Sequence, residues 1–281
     1  MSDQPFQYCL NTSTISEADI TLEDKIRITA EAGYDGIEPW VKEIDAYVDR
    51  GGDPGELRAR IEDAGLEVVN VIGFFEWAAF DDAKRELGFR EARRCFELAS
   101  QVGAGMVAAP PSGIADAVGL DLYAIADHYA ALIDEGLKHD VIPVLEFWGF
   151  ARTLGHLGEA LLVASECGRS EACILADVFH MYKSTGRFEG LELLGPKTLG
   201  LFHVNDYPAA PPRAEARDSD RVYPGDGIAP LTDIFRSLHE AGFDGMLSLE
   251  LFNATYWAQD PADVARTGLE KLKAAVASAL E

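Results

Sequence analysis

Ionisable side chains end four short apolar stretches in the second half of the sequence. They are Glu146 in VLEFWG, Asp177 in LADVFH, His203 in LFHVND and Glu250 in SLELFN. One such residue commonly does no more than end a strand, but four in succession are poorly explained by chance. Three carboxylates and one imidazole suit Mn²⁺, Zn²⁺, Mg²⁺ or Co²⁺, and the residue types do not select among these ions. We therefore predict that the four residues bind one divalent metal ion.

The two glutamates of this set also suit acid–base chemistry. A metal ion that contacts a carbonyl oxygen and the neighbouring hydroxyl acidifies the C–H bond between them. Glu146 or Glu250 can then remove that proton while the other holds or returns one. This predicts an isomerase that moves a carbonyl through an enediolate. Nucleophilic hydrolysis is unsupported, because the chain lacks a Gly-x-Ser-x-Gly motif.

Parallel strands must bring these residues together. Short β-type runs alternate with segments of helical spacing along the whole chain. Strands are predicted at residues 6–11, 36–40, 67–74, 106–110, 141–147, 172–178, 198–204 and 245–251. Helices are predicted at residues 21–33, 56–65, 83–103, 122–139, 154–168, 231–242 and from about 261 onward. Between strands six and seven, only residues 190–195 are available for a short helix.

Eight strand–helix units in 281 residues favour one (β/α)₈ TIM barrel over an open doubly wound sheet. We expect a single α/β domain over residues 1–281. The sequence has no GxGxxG or GxxxxGK[ST] after its first strand, which removes the usual nucleotide-binding motifs. Because a barrel's active site lies at the carboxyl ends of its strands, the four strand-end residues are predicted to converge there.

Composition and charge exclude several classes of partner. The chain has 24 basic and 48 acidic residues, a net charge of −24, which argues against nucleic acids and anionic membranes. Apolar runs of about 20 residues, as a membrane span requires, are absent, and the N-terminus does not resemble a signal peptide. The cysteines lack metal-binding or disulfide spacing and are predicted to be buried. We expect a cytoplasmic protein; whether it forms a homo-oligomer is left open.

The same stretches resemble the xylose-isomerase-like TIM barrels, the sugar phosphate isomerases and epimerases. Within that family the likeness is greatest to the inosose (2-keto-myo-inositol) isomerases. It runs from about residue 140 to 275 and is carried by VLEFWG, LADVFHMYKSTG, FHVNDYP with DRVYPGDGIAPL, and SLELFNATYW. The resemblance implies one divalent metal held by Glu146, Asp177, His203 and Glu250, with the glutamates transferring protons. It also implies a small keto-sugar or keto-cyclitol substrate and a place in carbohydrate or inositol catabolism.

The long polar segment 202–227 carries a further predicted substrate contact. Arg221 matches the family's loop arginine, and a planar guanidinium can hold two neighbouring oxygens at once. The alternative for this residue is a salt bridge with Asp218 or Asp226 that stabilises the loop. Connections this long are either functional or disordered. We predict that this one is ordered around Arg221 and crosses the barrel mouth.

Other substrate contacts are predicted at His180, Trp40 and Trp77. His180 matches the family's histidine after the metal-binding Asp177, although a surface histidine is the plainer alternative. The indoles could stack on an apolar sugar face, and packing at the rim is an equal alternative for each. Residues from strands two and three that could line the mouth are Glu38, Trp40, Asn70, Glu76 and Trp77.

Several alternative functions share the predicted metal site. Keto-sugar 3-epimerases and 3-dehydroshikimate-type dehydratases also begin by removing a proton next to a carbonyl. A non-catalytic sugar-binding barrel is a further alternative. DNA-repair endonucleases of the superfamily need additional histidines from early strands, whereas this chain has none before His128.

Overall fold

Parallel strands alternate with helices and form one curled sheet. The computed structural model describes residues 5–16 and 20–281; residues 1–4, which contribute to the signal-peptide prediction, lie outside this range. Within the described residues there are eight strands. They are β1 Gln7–Asn11, β2 Gly36–Glu38, β3 Glu67–Val68, β4 Met106–Ala109, β5 Ile142–Glu146, β6 Ile174–Asp177, β7 Leu199–Val204 and β8 Met246–Leu249.

The sheet closes into a barrel. Its hydrogen-bonded order is β3-β2-β1-β8-β7-β6-β5-β4, and neighbouring strands are parallel. A parallel bridge between Val71 and Val107 joins the two ends of this order. The amide of Val71 donates to the carbonyl of Met106 at 3.1 Å, and the amide of Ala108 donates to the carbonyl of Val71 at 3.1 Å. The predicted (β/α)₈ fold is therefore confirmed.

Ten α-helices accompany the strands over the described range. They are α1 Leu22–Ala32, α2 Val41–Asp49, α3 Pro54–Asp63, α4 Asp82–Val102, α5 Leu122–Gly136, α6 Leu157–Glu166, α7 Val178–Ser184, α8 Leu231–Glu240, α9 Ala254–Trp257 and α10 Pro261–Leu280. Thr21 caps α1 and Asp260 caps α10 through their side-chain oxygens, as their positions in the sequence predict. The predicted helix at residues 190–195 is a short 3₁₀ helix, Glu189–Leu193. Sequence patterns missed α2, α7 and α9, which directly follow or lie close to strand ends.

Apolar side chains fill the barrel below its mouth. The interior cluster consists of Cys9, Val69, Ile72, Ala108, Val144, Cys173, Leu175, Leu201 and Met246. A larger cluster packs the helices against the outside of the sheet.

All the cysteines are buried and free, as predicted. Over residues 5–16 and 20–281, no helix combines the length and hydropathy that crossing a membrane requires.

The long connection between β7 and α8 folds around the side chain of Asp206. This carboxylate, 1% exposed, accepts backbone N–H groups at 2.8–3.0 Å. The donors belong to Tyr207, Gly225, Gly227 and Ala229. A Cβ on Gly227 would lie 2.2 Å from the Tyr207 carbonyl oxygen, so this close approach requires glycine. Asp206 also pairs antiparallel with Val222, which places the preceding residue, Arg221, beside the strand ends.

Candidate active site

Three of the four predicted metal ligands form one buried cluster at the barrel mouth. Asp177 ends β6, His203 lies near the end of β7, and Glu250 directly follows β8. Asp177 and His203 are partners in the strand register. One ligand atom from each of the three residues lies within 4.8 Å of the others. Each residue is at most 5% exposed, so the cluster is shielded from bulk water.

The position of the His203 ring makes this cluster suitable for binding a divalent cation. Its Nδ1 atom lies 3.2 Å from Oε2 of Glu250 and 3.8 Å from Oδ2 of Asp177. Nδ1 is buried and makes no hydrogen bond within the described part of the chain. A buried polar atom without a partner costs about 1–3 kcal/mol, and a cation between the three side chains would satisfy it. Two carboxylates and an imidazole are suitable donors for a divalent ion.

Glu146, the fourth predicted ligand, lies outside the three-residue cluster. It ends β5, is 6% exposed and lines the same cavity as Glu250. Its Oε1 atom is 3.7 Å from Nε2 of His180. Its role as a metal ligand therefore stays a prediction, whereas its place at the mouth is clear.

The two glutamates have opposite electrostatic environments. Burial raises the pKa of Glu146 to about 8, and the nearby charges of Glu250 and Asp177 act in the same direction. Burial also opposes ionisation of Glu250, but His203 and Arg221 together hold its pKa well below the usual value. Burial opposes the charged form of His203, but the nearby carboxylates of Glu250 and Glu38 outweigh burial and raise the pKa of His203 well above 6.5.

Arg221 reaches the cluster of Asp177, His203 and Glu250 from the β7–α8 connection. Its Nη1 atom donates to Oδ2 of Asp177 at 3.0 Å and to Oε2 of Glu250 at 2.7 Å. Its Nη2 atom donates to Asp218 at 2.6 Å, so the salt bridge considered as an alternative is also present. Asp226, the other alternative partner, instead pairs with Lys271. The guanidinium is 1% exposed and is held by three carboxylates.

His180 lies in the first turn of α7, next to Arg221. The backbone N–H of His180 donates to Oδ1 of Asp177 at 2.8 Å, which starts this helix directly after β6. Its Nε2 atom is 3.4 Å from Nη2 of Arg221. Burial lowers the pKa of His180, which favours a neutral ring at pH 7. The structure thus brings the predicted histidine and arginine together at the site.

These residues surround a cavity of about 210 Å³ at the mouth. Its polar part consists of Glu146, His180, Asp218, Arg221 and Glu250. Its apolar part consists of Trp40, Ile72, Phe74, Trp148, Phe150 and Phe252. The volume is below the roughly 300–1,000 Å³ typical of drug-sized sites. It therefore suits a small ligand with one polar and one apolar face.

Aromatic rings form a continuous collar around this cavity. Trp40 lies 5.5 Å from Phe74 and 6.0 Å from Phe252 between ring centroids. Trp148 lies 5.8 Å from Phe74 and 5.4 Å from Phe150. Sequence reasoning identified only Trp40 of this collar. The signal it missed was the aromatic residues that follow Glu146 and Glu250 in EFWGF and ELF.

Trp77, the other predicted substrate contact, does not reach the cavity. Its side chain is 0% exposed and packs against Tyr129 with a centroid distance of 5.8 Å. Its indole N–H donates to the carbonyl of Pro110 at 2.7 Å. Trp77 is a core residue because the chain lines the cavity only as far as Phe74 after β3, and it is left out of the proposed site.

The remaining predicted mouth residues also lie elsewhere. Glu38 and Asn70 are 0% exposed and do not line the cavity. Glu76 lines a separate surface depression next to Phe74 and Trp148. The early strands thus contribute Trp40, Ile72 and Phe74 to the cavity and bury their polar residues beneath it.

The model of the xylose isomerase-like TIM barrel family matches residues 26–275. This chain belongs to that family. A 3-dehydroshikimate dehydratase of Pseudomonas aeruginosa is 26% identical over 90% of this chain and 39% of its own length. An inosose isomerase of Bacillus velezensis is 28% identical over 54% of each protein. The matches therefore span only about two fifths to one half of these relatives.

Solved structures agree on the fold. The IOLI protein, crystallised with a bound zinc atom, superposes with a TM-score of 0.89 and 21% identity, covering 97% of this chain and 98% of that one. An L-ribulose 3-epimerase superposes with a TM-score of 0.79 and 18% identity, covering 98% and 96%. Similarity at this level of identity supports the architecture alone.

Proposed function

We propose that this chain is a divalent-metal-dependent isomerase of uncharged keto-cyclitols or keto-sugars, with an inosose as the model substrate. The observation that carries the proposal is the buried Asp177, His203 and Glu250 cluster, which lies with Glu146 at a small cavity that has a polar and an apolar face. Family relatives named as isomerases, epimerases and dehydratases support an enzyme of this kind.

Asp177, His203 and Glu250 would hold the metal ion, and Glu146 is the proposed fourth ligand. Bound there, a divalent cation would polarise the substrate carbonyl and so acidify the adjacent C–H bond. The zinc in the IOLI structure supports a metal in this fold, and manganese, magnesium and cobalt suit the same donors.

Proton transfer is assigned to Glu146 and Glu250. Both carboxylates line the cavity, so either can reach a C–H bond of a substrate held between them. A proton removed from the hydroxyl-bearing carbon is returned to the former carbonyl carbon, and the hydroxyl proton passes to the former carbonyl oxygen, so that the carbonyl moves by one position. Arg221 and the neutral His180 ring would hold substrate oxygens during this transfer, because both line the same cavity.

The charge of the cavity supports an uncharged substrate. Among the described residues that line it, Arg221 is the only arginine or lysine, whereas three carboxylates line it: Glu146, Asp218 and Glu250. The guanidinium is already shared among carboxylates. A substrate carboxylate would have to displace one of these carboxylates from the guanidinium, which costs energy in a buried site. Polyol hydroxyls carry no such cost.

A dehydratase acting on a 3-dehydroshikimate-like compound is the second candidate. The match to the Pseudomonas aeruginosa dehydratase over 90% of this chain favours it. Dehydration begins with the same proton removal and differs only in the loss of water afterwards. The engaged guanidinium of Arg221 argues against it, because the substrate of such an enzyme carries a carboxylate that would need a free cation to bind it.

Deuterium exchange separates these functions. The protein loaded with zinc or manganese is incubated with 2-keto-myo-inositol in D₂O and followed by NMR. We expect solvent deuterium next to the carbonyl, formation of an isomeric ketone and no loss of water. In parallel, loss of water from 3-dehydroshikimate to give an aromatic dihydroxybenzoate, followed by its ultraviolet absorbance, would support the dehydratase instead.

Two variants and a substrate panel complete this experiment. Glu146→Gln should abolish exchange, while Glu31→Gln, at an exposed position on α1, should leave it unchanged. Absence of exchange across a panel of keto-sugars and keto-cyclitols would contradict the enzyme proposal and support a non-catalytic sugar-binding barrel.

A further inference from the structure

Glu38 lies beneath the cavity and is surrounded by hydrogen-bond donors. It ends β2 and is 0% exposed. Its carboxylate oxygens accept at 2.7–2.9 Å from Asn11 Nδ2, Asn70 Nδ2, His203 Nε2 and Ser248 Oγ. A carboxylate suits this position because it offers acceptors on both oxygens, whereas an amide would point N–H groups at one pair of donors.

The contact with Glu38 determines which nitrogen of His203 faces the cluster. Nε2 donates to Oε1 of Glu38 at 2.9 Å. Nδ1 is therefore the atom that faces Asp177 and Glu250. A carboxylate behind a metal-binding histidine fixes the ring orientation and makes the facing nitrogen a stronger ligand.

Asn11, at the end of β1, restrains the other side of the cluster. Its amide Nδ2 donates to Oε2 of Glu38 at 2.8 Å and to Oε1 of Glu250 at 3.1 Å. Its Oδ1 accepts from the indole of Trp40 at 2.9 Å and from the backbone of Ser13 at 3.0 Å. The amide orientation is thus fixed on both sides. By holding Oε1 of Glu250, Asn11 leaves Oε2 to face His203 and Arg221.

We propose that Glu38 and Asn11 are positioning residues for the metal site. Glu38 holds His203 with Nδ1 toward the ligands, and Asn11 fixes Glu250 and connects it to Trp40 in the collar. Neither residue lines the cavity, so each acts through its neighbours. This inference rests on the proposed metal-dependent function and adds the residues that make the cluster competent to bind the ion.

Zinc affinity and NMR test the role of Glu38. Affinity is measured by competition with a chromogenic chelator, and the Nε2–H of His203 is followed by ¹H–¹⁵N NMR in the zinc-loaded protein. We expect Glu38→Gln to weaken zinc binding about 10- to 100-fold and to shift or broaden the low-field Nε2–H resonance. Ser248→Ala is the matched control, because it removes one hydrogen bond to Glu38 and leaves the His203 contact. It should change affinity by less than about threefold.

The wild-type spectrum tests the inference even if Glu38→Gln does not fold. Zinc coordination through Nε2 of His203, with the proton on Nδ1, would overturn it. So would a folded Glu38→Gln protein with unchanged zinc affinity and an unchanged resonance. Asn11→Ala should also weaken zinc binding more than Ser248→Ala, and equal effects would contradict the role of Asn11. Wild-type protein that binds zinc through Nδ1 but does not convert any keto-sugar would contradict the proposed reaction while supporting the positioning role.

Discussion

Nε2 of His203 lies 2.9 Å from Oε1 of Glu38, and both side chains are buried from solvent. The two residues are 165 positions apart in the sequence and belong to β7 and β2. The contact connects the early strands, which supply little of the polar cavity surface, to the candidate metal cluster. The first half of the chain therefore orients a residue of the candidate site, in addition to supplying part of the aromatic collar.

Asp177→Asn should remove metal binding without unfolding α7. Asparagine keeps an oxygen that can accept from the His180 N–H, but it removes the charge that a divalent ion requires. We expect zinc affinity to fall by about 100-fold or more, with little change in circular dichroism. Asp121→Asn is the control, since this exposed carboxylate caps α5 in the same way. Wild-type zinc affinity in Asp177→Asn would exclude Asp177 as a ligand.

Arg221→Lys should weaken substrate binding. A single ammonium cannot bridge the Asp177–Glu250 pair and Asp218 as the planar guanidinium does. We expect kcat/KM to fall about 10- to 100-fold, mostly through KM. Arg213→Lys, at an exposed position in the same connection, should have no effect. Steady-state kinetics with the substrate identified by deuterium exchange provide the measurement, and equal behaviour of the two variants would contradict the role of Arg221.

Trp40 and Trp77 should respond differently to the same substitution. Trp40→Phe replaces the indole with a smaller ring and removes its hydrogen bond to Asn11. We expect substrate binding to weaken by about 0.5–1.5 kcal/mol, which would appear as a several-fold rise in KM. Trp77→Phe leaves the Pro110 carbonyl without its donor and a gap in the core. It should lower the free energy of unfolding by about 1–3 kcal/mol and leave KM unchanged. Urea unfolding and kinetics on both variants check this, and a raised KM in Trp77→Phe would contradict the separation.

The stability of the metal-free protein should fall as the pH rises toward 8. The pKa of Glu146 is about 8 in the folded chain against 4.5 ordinarily, so the folded state keeps a proton that the unfolded state releases in this window. His203, with its pKa raised above 6.5, adds the same dependence from that pH upward. Each proton contributes at most about 1.4 kcal/mol per pH unit. The lowered pKa of Glu250 also stabilises the folded state, but this contribution is fully present above about pH 4.5 and therefore stays constant as the pH rises toward 8.

Thermal unfolding of chelator-treated protein across this range measures the effect. Glu146→Gln removes one of the two titrating groups and leaves His203. The thermal midpoint of this variant should therefore change less than that of the wild type between about pH 5 and 6.5. Zinc should abolish the decline, because metal ligands bind in their deprotonated form. A thermal midpoint that rises from pH 6.5 to 8 in the metal-free wild type would contradict the assignment of both groups.

Local patterns in the sequence were sufficient for the barrel. Short apolar β-type runs located all eight strands, and caps such as Thr21 and Asp260 located helix starts, because these signals lie within a few residues of each other. The strand-end rule placed Asp177, His203 and Glu250 together. Helix α7 was missed because its seven residues follow Asp177 without the usual separating turn.

Long-range contacts were beyond the reach of such patterns. Glu38 ends β2 and Trp77 lies in a turn after β3, and the two look alike as candidates for the mouth. Glu38 nevertheless lies behind His203, whereas Trp77 lies in the outer core. Which side of the sheet each faces depends on the register of β2 and on the path after β3, and a one-residue change of register reverses that side.

Asp206 has a consequence for how the β7–α8 connection can accommodate change. Because the carboxylate holds Tyr207 at one end of the connection and Gly225, Gly227 and Ala229 at the other, both ends are fixed to β7. The intervening residues 208–217 are mostly exposed at the surface. We expect insertions there to lengthen the rim while Arg221 stays beside Asp177 and Glu250. One buried charge thus separates an exposed segment from the candidate site.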